Sequence, residues 1–278
     1  MNNKTCIIVC GATAVGKSSY AIALAKKNNT QIISADSRQC YKELNIGVAR
    51  PTPSELAEVR HYFIASHSIF DEVNVKTFEE YALQAAEEIF KKNDTAIIVG
   101  GTGLYIQAFT DGLDDVPATD LMLRQSLTEK YREQGTDWLQ KEIKNKDPLF
   151  FDKGEINNPQ RAIRALEVVT LTGESILSFH LSKKKGRFFK VEKINLELPR
   201  KELYDRINKR VDAMMKAGLL EEAKSLYPHK ELNALKTVGY QELFRYFEGQ
   251  TSLEVAVEEI KKNSRHYAKR QITWFKSH

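Results

Sequence analysis

The chain has 278 residues, 42% of them hydrophobic and 28% charged, with a formal net charge of +5. This balance is typical of a soluble globular protein with one large or two smaller domains, and it excludes wholesale disorder and collagen-like repeats. No apolar run approaches the roughly 18 residues of a membrane span, and the first residues lack a signal-peptide pattern. Three scattered cysteines are too few for a disulfide scaffold or a zinc site, so we expect a reducing, cytoplasmic setting.

The first 113 residues alternate between strand and helix patterns. Continuous apolar runs predict buried strands over 5–10, 31–35 and 95–99, and helical spacing of apolar residues predicts helices over about 17–27 and 77–92. Alternation of buried strands with helices predicts a parallel sheet covered on both faces. We therefore expect an α/β fold with a parallel sheet of the phosphate-loop NTPase type, flanked by helices.

The pattern changes after Gly112. Residues 114–182 are charged, helical in spacing and free of buried-strand runs, which predicts a helical insertion domain. Residues 188–198 alternate well enough to form a returning strand, and helices are expected over about 200–227 and 251–275. The predicted domains are a core of residues 1–113 and 183–278, and an insertion of residues 114–182.

Charge is unevenly distributed between these parts. Residues 1–182 contain 20 Lys and Arg against 24 Asp and Glu, a net charge of −4, whereas residues 183–278 contain 22 against 13, a net charge of +9. A basic C-terminal third favours a polyanionic partner. An ordinary solvated surface has the same composition, so charge alone leaves both interpretations open.

A phosphate-binding loop follows the first predicted strand. Residues 11–18, GATAVGKS, match the pattern G-x-x-x-x-G-K-[ST] between a buried strand and a helix, the context in which this pattern binds phosphate. Lys17 adds a positive charge and Ser18 can hold Mg²⁺. The candidate diphosphate-binding residues are Gly11, Ala12, Thr13, Ala14, Val15, Gly16, Lys17 and Ser18.

The loop does not by itself indicate ATP or GTP. The third strand ends in Gly100 and Gly101, where many NTPases place an acidic Mg²⁺ ligand. The guanine-binding signature Asn-Lys-x-Asp is absent, because residues 145–147 place the Asp one position too early. The loop is therefore free to bind a different diphosphate.

Asp36 directly follows the second predicted strand. Ligands of open parallel sheets bind outside the carboxyl ends of the strands, so this carboxylate is expected near the phosphate site. It can take a proton from a nucleophile or bind Mg²⁺ through water. A structural role as a helix N-cap or turn residue is the alternative.

Arg206 and Arg210 are four residues apart in a predicted helix. They can reach the diphosphate as a lid would, and Arg210 is the stronger candidate for that contact. Pairing with nearby acids such as Asp205 or Asp212 is the alternative.

The sequence resembles the tRNA dimethylallyltransferases, also called tRNA isopentenyltransferases, over nearly its whole length. The matching blocks are GATAVGKS (11–18), DSRQCY (36–41), NIGVARP (45–51), VGGTGLYIQAF (99–109), NPQRAIRALEV (158–168), LYDRINKRVDAMMKAGLLEEA (203–223), VGYQEL (238–243) and AKRQITWF (268–275). The chain stops soon after the last block and lacks the zinc-finger extension of some eukaryotic relatives, so we expect a bacterial or organellar type.

The resemblance implies a reaction. A dimethylallyl group moves from dimethylallyl diphosphate to the exocyclic N6 amine of the adenosine at tRNA position 37, and diphosphate is released. The implied cofactor is Mg²⁺, and the implied partner is the anticodon stem-loop of tRNA, gripped by the insertion domain. We expect a monomer without membrane contact.

The resemblance also assigns residues. Asp36 is the implied base, Thr102 is implied to lie near the reacting adenine, and Lys17 is implied to stabilise the leaving diphosphate. The implied tRNA-contacting residues are Asp36, Ser37, Arg38, Gln39, Thr102, Arg124, Gln160, Arg161, Ala162, Ile163, Arg164, Lys236, Thr237, Val238, Gly239, Tyr240, Gln241, Lys269, Arg270, Gln271, Trp274 and Lys276.

Two other functions are weighed against this one. A small-molecule kinase of the nucleoside- or shikimate-kinase type would share the phosphate loop and the sheet, but it leaves the 268–275 block and the basic C-terminal third unexplained. A non-catalytic tRNA-binding protein with a relic loop is disfavoured by the intact Gly16-Lys17-Ser18 and Asp36.

Overall fold

A parallel five-stranded sheet organises the larger part of the protein. The computed structural model describes residues 4–180 and 185–277. The strands are β1 (Thr5–Gly11), β2 (Ile32–Ala35), β3 (His61–Tyr62), β4 (Thr95–Gly100) and β5 (Lys190–Leu196). Their order is β3-β2-β4-β1-β5, and every neighbouring pair is parallel. The predicted α/β fold class is confirmed.

Helices connect the strands and complete both parts of the chain. The helices are α1 (Lys17–Lys27), α2 (Pro53–Glu58), α3 (Val75–Phe90), α4 (Gly103–Asp111), α5 (Leu121–Lys146), α6 (Pro148–Lys153), α7 (Pro159–Thr172), α8 (Arg200–Lys216), α9 (Leu219–Leu226), α10 (Tyr240–Phe247) and α11 (Leu253–Ser277). Within residues 4–180 and 185–277, none of the helices is long and apolar enough to cross a membrane.

The apolar strands are buried because both faces of the sheet are covered. On β1, Ile8 belongs to one hydrophobic cluster and Val9 to the cluster on the opposite face. On β4, Ile98 and Ile97 divide in the same way. Alternate side chains of a strand point to opposite faces, so continuous apolar runs are what a doubly covered sheet requires.

The strand register gathers three chain segments at one edge of the sheet. Cys10 of β1 pairs with Gly100 of β4, and Ala35 of β2 pairs with the same Gly100. The chain therefore leaves β1, β2 and β4 side by side. The loop after β1, Asp36 after β2 and Gly101 after β4 begin at this shared edge.

The chain divides into two compact units. One consists of Met1–Gly112 and Gly186–His278, and the other of Leu113–Lys185. The predicted boundary at residues 182 and 183 lies outside the described residues. The second unit has its own hydrophobic core, in which Leu139, Ile143 and Leu166 are fully buried.

The structure differs from the sequence expectations in several connections. The single helix expected over 200–227 is divided into α8 and α9 at Gly218, whose φ of 102° interrupts helical geometry. Helix α5 is interrupted at Gly135, with φ 76° and ψ −168°. The short elements α2 and β3, and helix α10, have no counterpart among the predicted elements.

Candidate functional site

The loop between β1 and α1 has the backbone of an anion site. Gly11 has a φ of 138° and Gly16 a φ of 106°, in the region that favours glycine. A Cβ at Gly11 would lie 2.5 Å from the carbonyl oxygen of Leu196, so β5 leaves no space for a side chain there. Helix α1 begins at Lys17, and its free N–H groups and dipole favour a phosphate at this end.

Lys17 is a half-buried cation at the end of this loop. Its Nζ donates a hydrogen bond to the carbonyl oxygen of Ala12 at 2.7 Å. Burial lowers the pKa of Lys17 to about 8, Asp36 opposes that shift, and Arg210 adds to it. A negative charge bound in the loop would favour the protonated, charged form of Lys17.

Arg210 comes from α8 and closes the loop from the other side. Its Nη1 donates to Thr13 Oγ1 at 3.1 Å, and burial lowers its pKa although Asp36 acts in the opposite direction. Arg206, one turn earlier, pairs instead with Glu202 at 2.8 Å. Arg206 Nη1 nevertheless lies 4.0 Å from the position that a Cβ of Gly16 would occupy. Both arginines therefore lie at the loop, and Arg210 is the one that hydrogen-bonds to Thr13.

Asp36 is fixed by the turn that follows β2. Its Oδ1 accepts hydrogen bonds from the backbone N–H groups of Arg38 at 2.9 Å and Gln39 at 3.2 Å. This is the local turn that a side-chain oxygen makes with the backbone two residues on. Oδ1 of Asp36 therefore has the structural role of a turn residue. Asp36 also lines the cavity described below.

Thr102 lies beside Asp36 at the end of the neighbouring strand. Its Oγ1 accepts a hydrogen bond from the N–H of Ser37 at 3.1 Å, and its N–H donates to the carbonyl oxygen of Ala35 at 3.2 Å. Tyr267 is a third group here that the sequence did not reveal. Burial first and Asp36 second raise its pKa to about 12, and a hydrogen bond with Thr102 partly offsets the shift.

Helix α11 holds the loops after β1 and β4 together. The buried Gln271 accepts a hydrogen bond from the N–H of Thr13 at 2.8 Å and donates one to the carbonyl oxygen of Gly101 at 2.9 Å. A Cβ at Gly103 would lie 2.1 Å from the indole of Trp274. These two α11 residues therefore act by positioning the phosphate loop and the start of α4.

Lys17, Asp36 and Arg210 line a single cavity. It has a volume of about 680 Å³ and is formed entirely by the unit that contains the sheet. Lys17, Ser18, Asp36 and Arg210 supply its polar part, while Val48, Ile207, Val211 and Met214 are among its apolar lining residues. A cavity of this kind can hold a diphosphate at one side and a small apolar group beside it.

Most of the residues expected to contact tRNA in this unit surround the same cavity. The lining residues include Ser37, Arg38, Gln39, Lys236, Thr237, Val238, Gly239, Gln241 and Arg270. Lys269 and Lys276 are exposed on α11. The three predicted segments of this unit, 36–39, 236–241 and 269–276, are thus distributed between the cavity and the surface of α11.

The expected tRNA contacts of the insertion unit form a charged cluster. Arg161 is exposed and pairs with Glu155. Arg164 donates to Glu167 at 2.7 Å, and Arg124 lies 3.7 Å from the other oxygen of the same carboxylate. Glu167 is fully buried, whereas 40% of the Arg124 side chain is exposed.

Four of the residues expected to contact tRNA have buried side chains. Ala162 and Ile163 belong to the core of the insertion unit, Tyr240 is fully buried, and only 6% of Gln271 is exposed. Their side chains are unavailable to RNA because each packs or hydrogen-bonds inside the protein. Gln160, beside the first two, is exposed.

The residues present fit a metal ion that arrives with phosphate. Ser18 brings a hydroxyl to the cavity, and no cluster of three or more His, Cys, Asp or Glu able to hold a metal occurs in the described part of the chain. Mg²⁺ commonly retains waters and takes substrate phosphates as ligands. The loop thus suits a diphosphate-bound Mg²⁺ rather than an all-protein metal site.

Comparison with known proteins decides the family. The family model described as IPP transferase matches residues 39–278. A curated tRNA dimethylallyltransferase of Christiangramia forsetii is 51% identical, over 97% of this chain and 89% of that protein. The tRNA dimethylallyltransferase 1 of Bacteroides fragilis is 44% identical, over 99% and 92%. The chain belongs to the IPP transferase family.

Solved structures agree with this membership. The tRNA isopentenylpyrophosphate transferase of Bacillus halodurans superposes with a TM-score of 0.72 at 35% identity, covering 99% of this chain and 88% of that one. A eukaryotic dimethylallyltransferase acting on tRNA gives a TM-score of 0.81 at 28% identity, covering 98% and 69%. The resemblance inferred from the sequence blocks is thereby confirmed, and with it the IPP transferase fold of both units.

Proposed function

We propose that this IPP transferase moves a dimethylallyl group from dimethylallyl diphosphate to the exocyclic N6 amine of the adenosine at position 37 of a tRNA. Transfer of a prenyl group onto tRNA is the activity of the family. The donor and the acceptor atom are our finer proposal. The observation that supports it is the cavity in which the phosphate loop lies beside Asp36, with Thr102 accepting a hydrogen bond from the N–H of the next residue, Ser37.

The reaction exchanges one bond for another. The allylic carbon–oxygen bond of the donor breaks, and its electron pair leaves with the diphosphate. The N6 lone pair forms the new carbon–nitrogen bond, and the N6 proton passes to Asp36. The hydrogen bonds from Arg38 and Gln39 hold Oδ1, so Oδ2 is the oxygen assigned to this proton.

The leaving group gains negative charge as the bond breaks. Lys17, Arg210 and the loop N–H groups converge on the position where that charge develops, and donors fixed in advance are effective in such a site. When bound, Mg²⁺ held at Ser18 supplies further neutralisation of the diphosphate. Lys17 is half-buried, and the lower dielectric around it strengthens its attraction for the anion.

The RNA must present an unstacked base to the cavity. Enzymes that modify a base inside a folded nucleic acid extrude it into a pocket and grip the backbone with cations. The cations available are Arg38, Lys236 and Arg270 at the cavity, with Arg124 and Arg161 on the insertion unit. We propose that these groups bind the anticodon stem-loop, and that a monomer acts in the cytoplasm.

The test is direct transfer. The purified protein is incubated with dimethylallyl diphosphate, Mg²⁺ and an anticodon stem-loop carrying adenosine at positions 36 to 38, and the digested RNA is analysed by mass spectrometry. We expect a five-carbon addition to one adenosine, and none when the position-37 adenosine is replaced by guanosine. Absence of the addition, together with ATP consumption on a small molecule, would favour the kinase.

A further inference from the structure

A carboxylate far from the reacting atoms holds one wall of the cavity. Glu222 on α9 accepts hydrogen bonds from three consecutive backbone N–H groups, those of Asn45 at 3.2 Å, Ile46 at 2.8 Å and Gly47 at 2.9 Å. A single side chain thereby fixes the start of the segment 45–51. Gly47 and the residues after it line the cavity.

Tyr240 completes the arrangement. Its hydroxyl donates to Glu222 at 2.7 Å, and burial first and the Glu222 carboxylate second raise its pKa, so the phenol keeps its proton and remains a donor. Its ring also lies where a Cβ of Gly47 would be, with a separation of 2.6 Å. We call Glu222, Tyr240 and the three N–H groups the Glu222 staple.

The segment held by the staple contains a backbone conformation that is unfavourable for its residue. Ala49 has a φ of 48°, in the left-handed region that residues other than glycine seldom adopt. Such a conformation persists only where surrounding contacts impose it. The turn supplies two of those contacts itself, from the N–H of Ala49 to Ile46 at 3.0 Å and from that of Arg50 to Asn45 at 3.1 Å. The Glu222 staple holds the same turn at Asn45, Ile46 and Gly47.

Hydrogen bonds connect this segment to Asp36. The side-chain amide of Gln39 donates to the carbonyl oxygens of Val48 at 3.2 Å and Ala49 at 3.0 Å. The backbone N–H of the same Gln39 donates to Asp36 Oδ1 at 3.2 Å. The orientation of the Asp36 carboxylate therefore depends on Gln39, and Gln39 depends on a segment that Glu222 holds.

We propose that Glu222 is a positioning residue for Asp36, acting through the backbone of 45–49 and the side chain of Gln39. This inference rests on the proposed function, because it assigns Asp36 the proton of the N6 amine. Misplacement of a reacting group by about 1 Å can lower a rate about 10²-fold. Loss of the staple should therefore act on the chemical step.

The diphosphate end of the cavity should be spared. Lys17, Arg210 and the phosphate loop are held by α1, α8 and Gln271, and none of these hydrogen bonds involves Glu222. A staple variant should consequently bind dimethylallyl diphosphate normally and transfer it slowly. A merely structural role would instead reduce the fraction of folded, donor-binding protein and leave kcat per binding site unchanged.

The experiment compares Glu222→Gln with Glu221→Gln, its exposed neighbour on α9, which carries the same change of charge. In Glu222→Gln the amide NH₂ meets backbone N–H donors and cannot accept from them. Donor affinity, donor-binding stoichiometry, RNA affinity and single-turnover transfer are measured for both. We expect the transfer rate per donor-binding site to fall about 10-fold or more in Glu222→Gln, with donor affinity within about twofold, and no change in Glu221→Gln.

Tyr240→Phe provides a milder second variant, since it removes one donor and retains the ring. We expect it to lower the same rate by a smaller factor, and it decides alone if Glu222→Gln does not fold. A wild-type rate per site, or a loss confined to RNA affinity, would overturn the inference. An inactive wild type would refute the proposed function instead, so the two failures are distinguishable.

Discussion

Asp36 has a local structural role and a proposed chemical role, which a single substitution can separate. Asp36→Asn keeps an Oδ1 that can accept from Arg38 and Gln39 but cannot take the N6 proton. We expect the single-turnover transfer rate to fall about 10²-fold or more, the size typical for loss of a general base. RNA affinity and the melting temperature should stay near those of the wild type. A wild-type rate would remove Asp36 from the mechanism.

Lys17 makes donor binding sensitive to pH. Burial lowers its pKa to about 8 in the free protein, and a bound diphosphate favours its charged form. Above pH 8 binding must take up a proton, so the affinity for dimethylallyl diphosphate should fall up to tenfold per pH unit. Lys17→Met should bind more weakly, with a flat profile. Titration calorimetry without Mg²⁺ between pH 7 and 9.5 checks this, and a flat wild-type profile would contradict it.

The same shift affects folding in a defined direction. The folded protein releases the Lys17 proton near pH 8, whereas an unfolded chain releases it near the ordinary value of 10.5. Between these values the unfolded state binds more protons, so this residue's contribution to the free energy of unfolding rises with pH. The unfavourable burial of the charge is present in full below pH 8 and is relieved above it.

Sequence reasoning located some site residues and missed others for identifiable reasons. The loop at 11–18 and Asp36 follow predicted strands, so topology alone brings them to one edge of the sheet. The resemblance blocks do not separate buried from exposed positions, which is why Tyr240 and Gln271 were expected to contact RNA. Glu222 was missed because the three backbone N–H groups that it binds lie more than 170 residues away in sequence.

At the scale of elements, the strands were predictable and the breaks between helices were not. Continuous runs of apolar residues predict buried strands, and such runs coincide with β1, β2 and β4. A glycine within a helical pattern is ambiguous, because it either stays helical or turns. Gly218 turns, with a φ of 102°, and only packing of α8 and α9 decides that.

The insertion unit depends on an interaction between α7 and the start of α5. Glu167 is buried and accepts from Arg164 at 2.7 Å and from the N–H of Asp120 at 3.0 Å. Glu167→Ala leaves these donors without their acceptor, and removing one partner of a buried ion pair costs about 3–5 kcal/mol. We expect faster hydrogen exchange in α5 and α7, and weaker RNA binding.

The matched control for that prediction is Glu129→Ala on α5, an exposed residue that loses the same charge. It should leave exchange rates unchanged, since exposed charges contribute little to stability. Equal exchange in the two variants would show that the Glu167 cluster does not stabilise the unit. It would also weaken the case that Arg124 and Arg164 are held in place for RNA.

At the scale of the whole molecule, only some of the basic residues that the structure describes in the C-terminal third are free of contacts with other protein side chains that would compete with a polyanion. Among the basic residues of α11, Lys261 pairs with Asp212 at 2.8 Å and Glu258 at 2.9 Å, and Arg265 donates to Asn208 at 2.7 Å. Lys261 is thus paired with acids and Arg265 is engaged by an amide within the protein. Lys269 is exposed farther along the helix and is the better candidate for a phosphate contact.

The salt dependence of RNA binding distinguishes a phosphate contact from a solvated cation. Each contact releases counterions, so the slope of log affinity against log salt changes by about 0.7–0.9 when one is lost. Lys269→Ala should reduce the slope by about this amount and weaken binding most at low salt. Lys262→Ala removes an exposed cation from the same helix. It should not change the slope, because a cation that contacts no phosphate releases no counterion from the RNA. The slopes are measured by fluorescence anisotropy between 50 and 300 mM salt. Identical slopes in the two variants would show that Lys269 is a solvated cation that contacts no phosphate. RNA binding would then depend on the cations around the cavity and on the insertion unit.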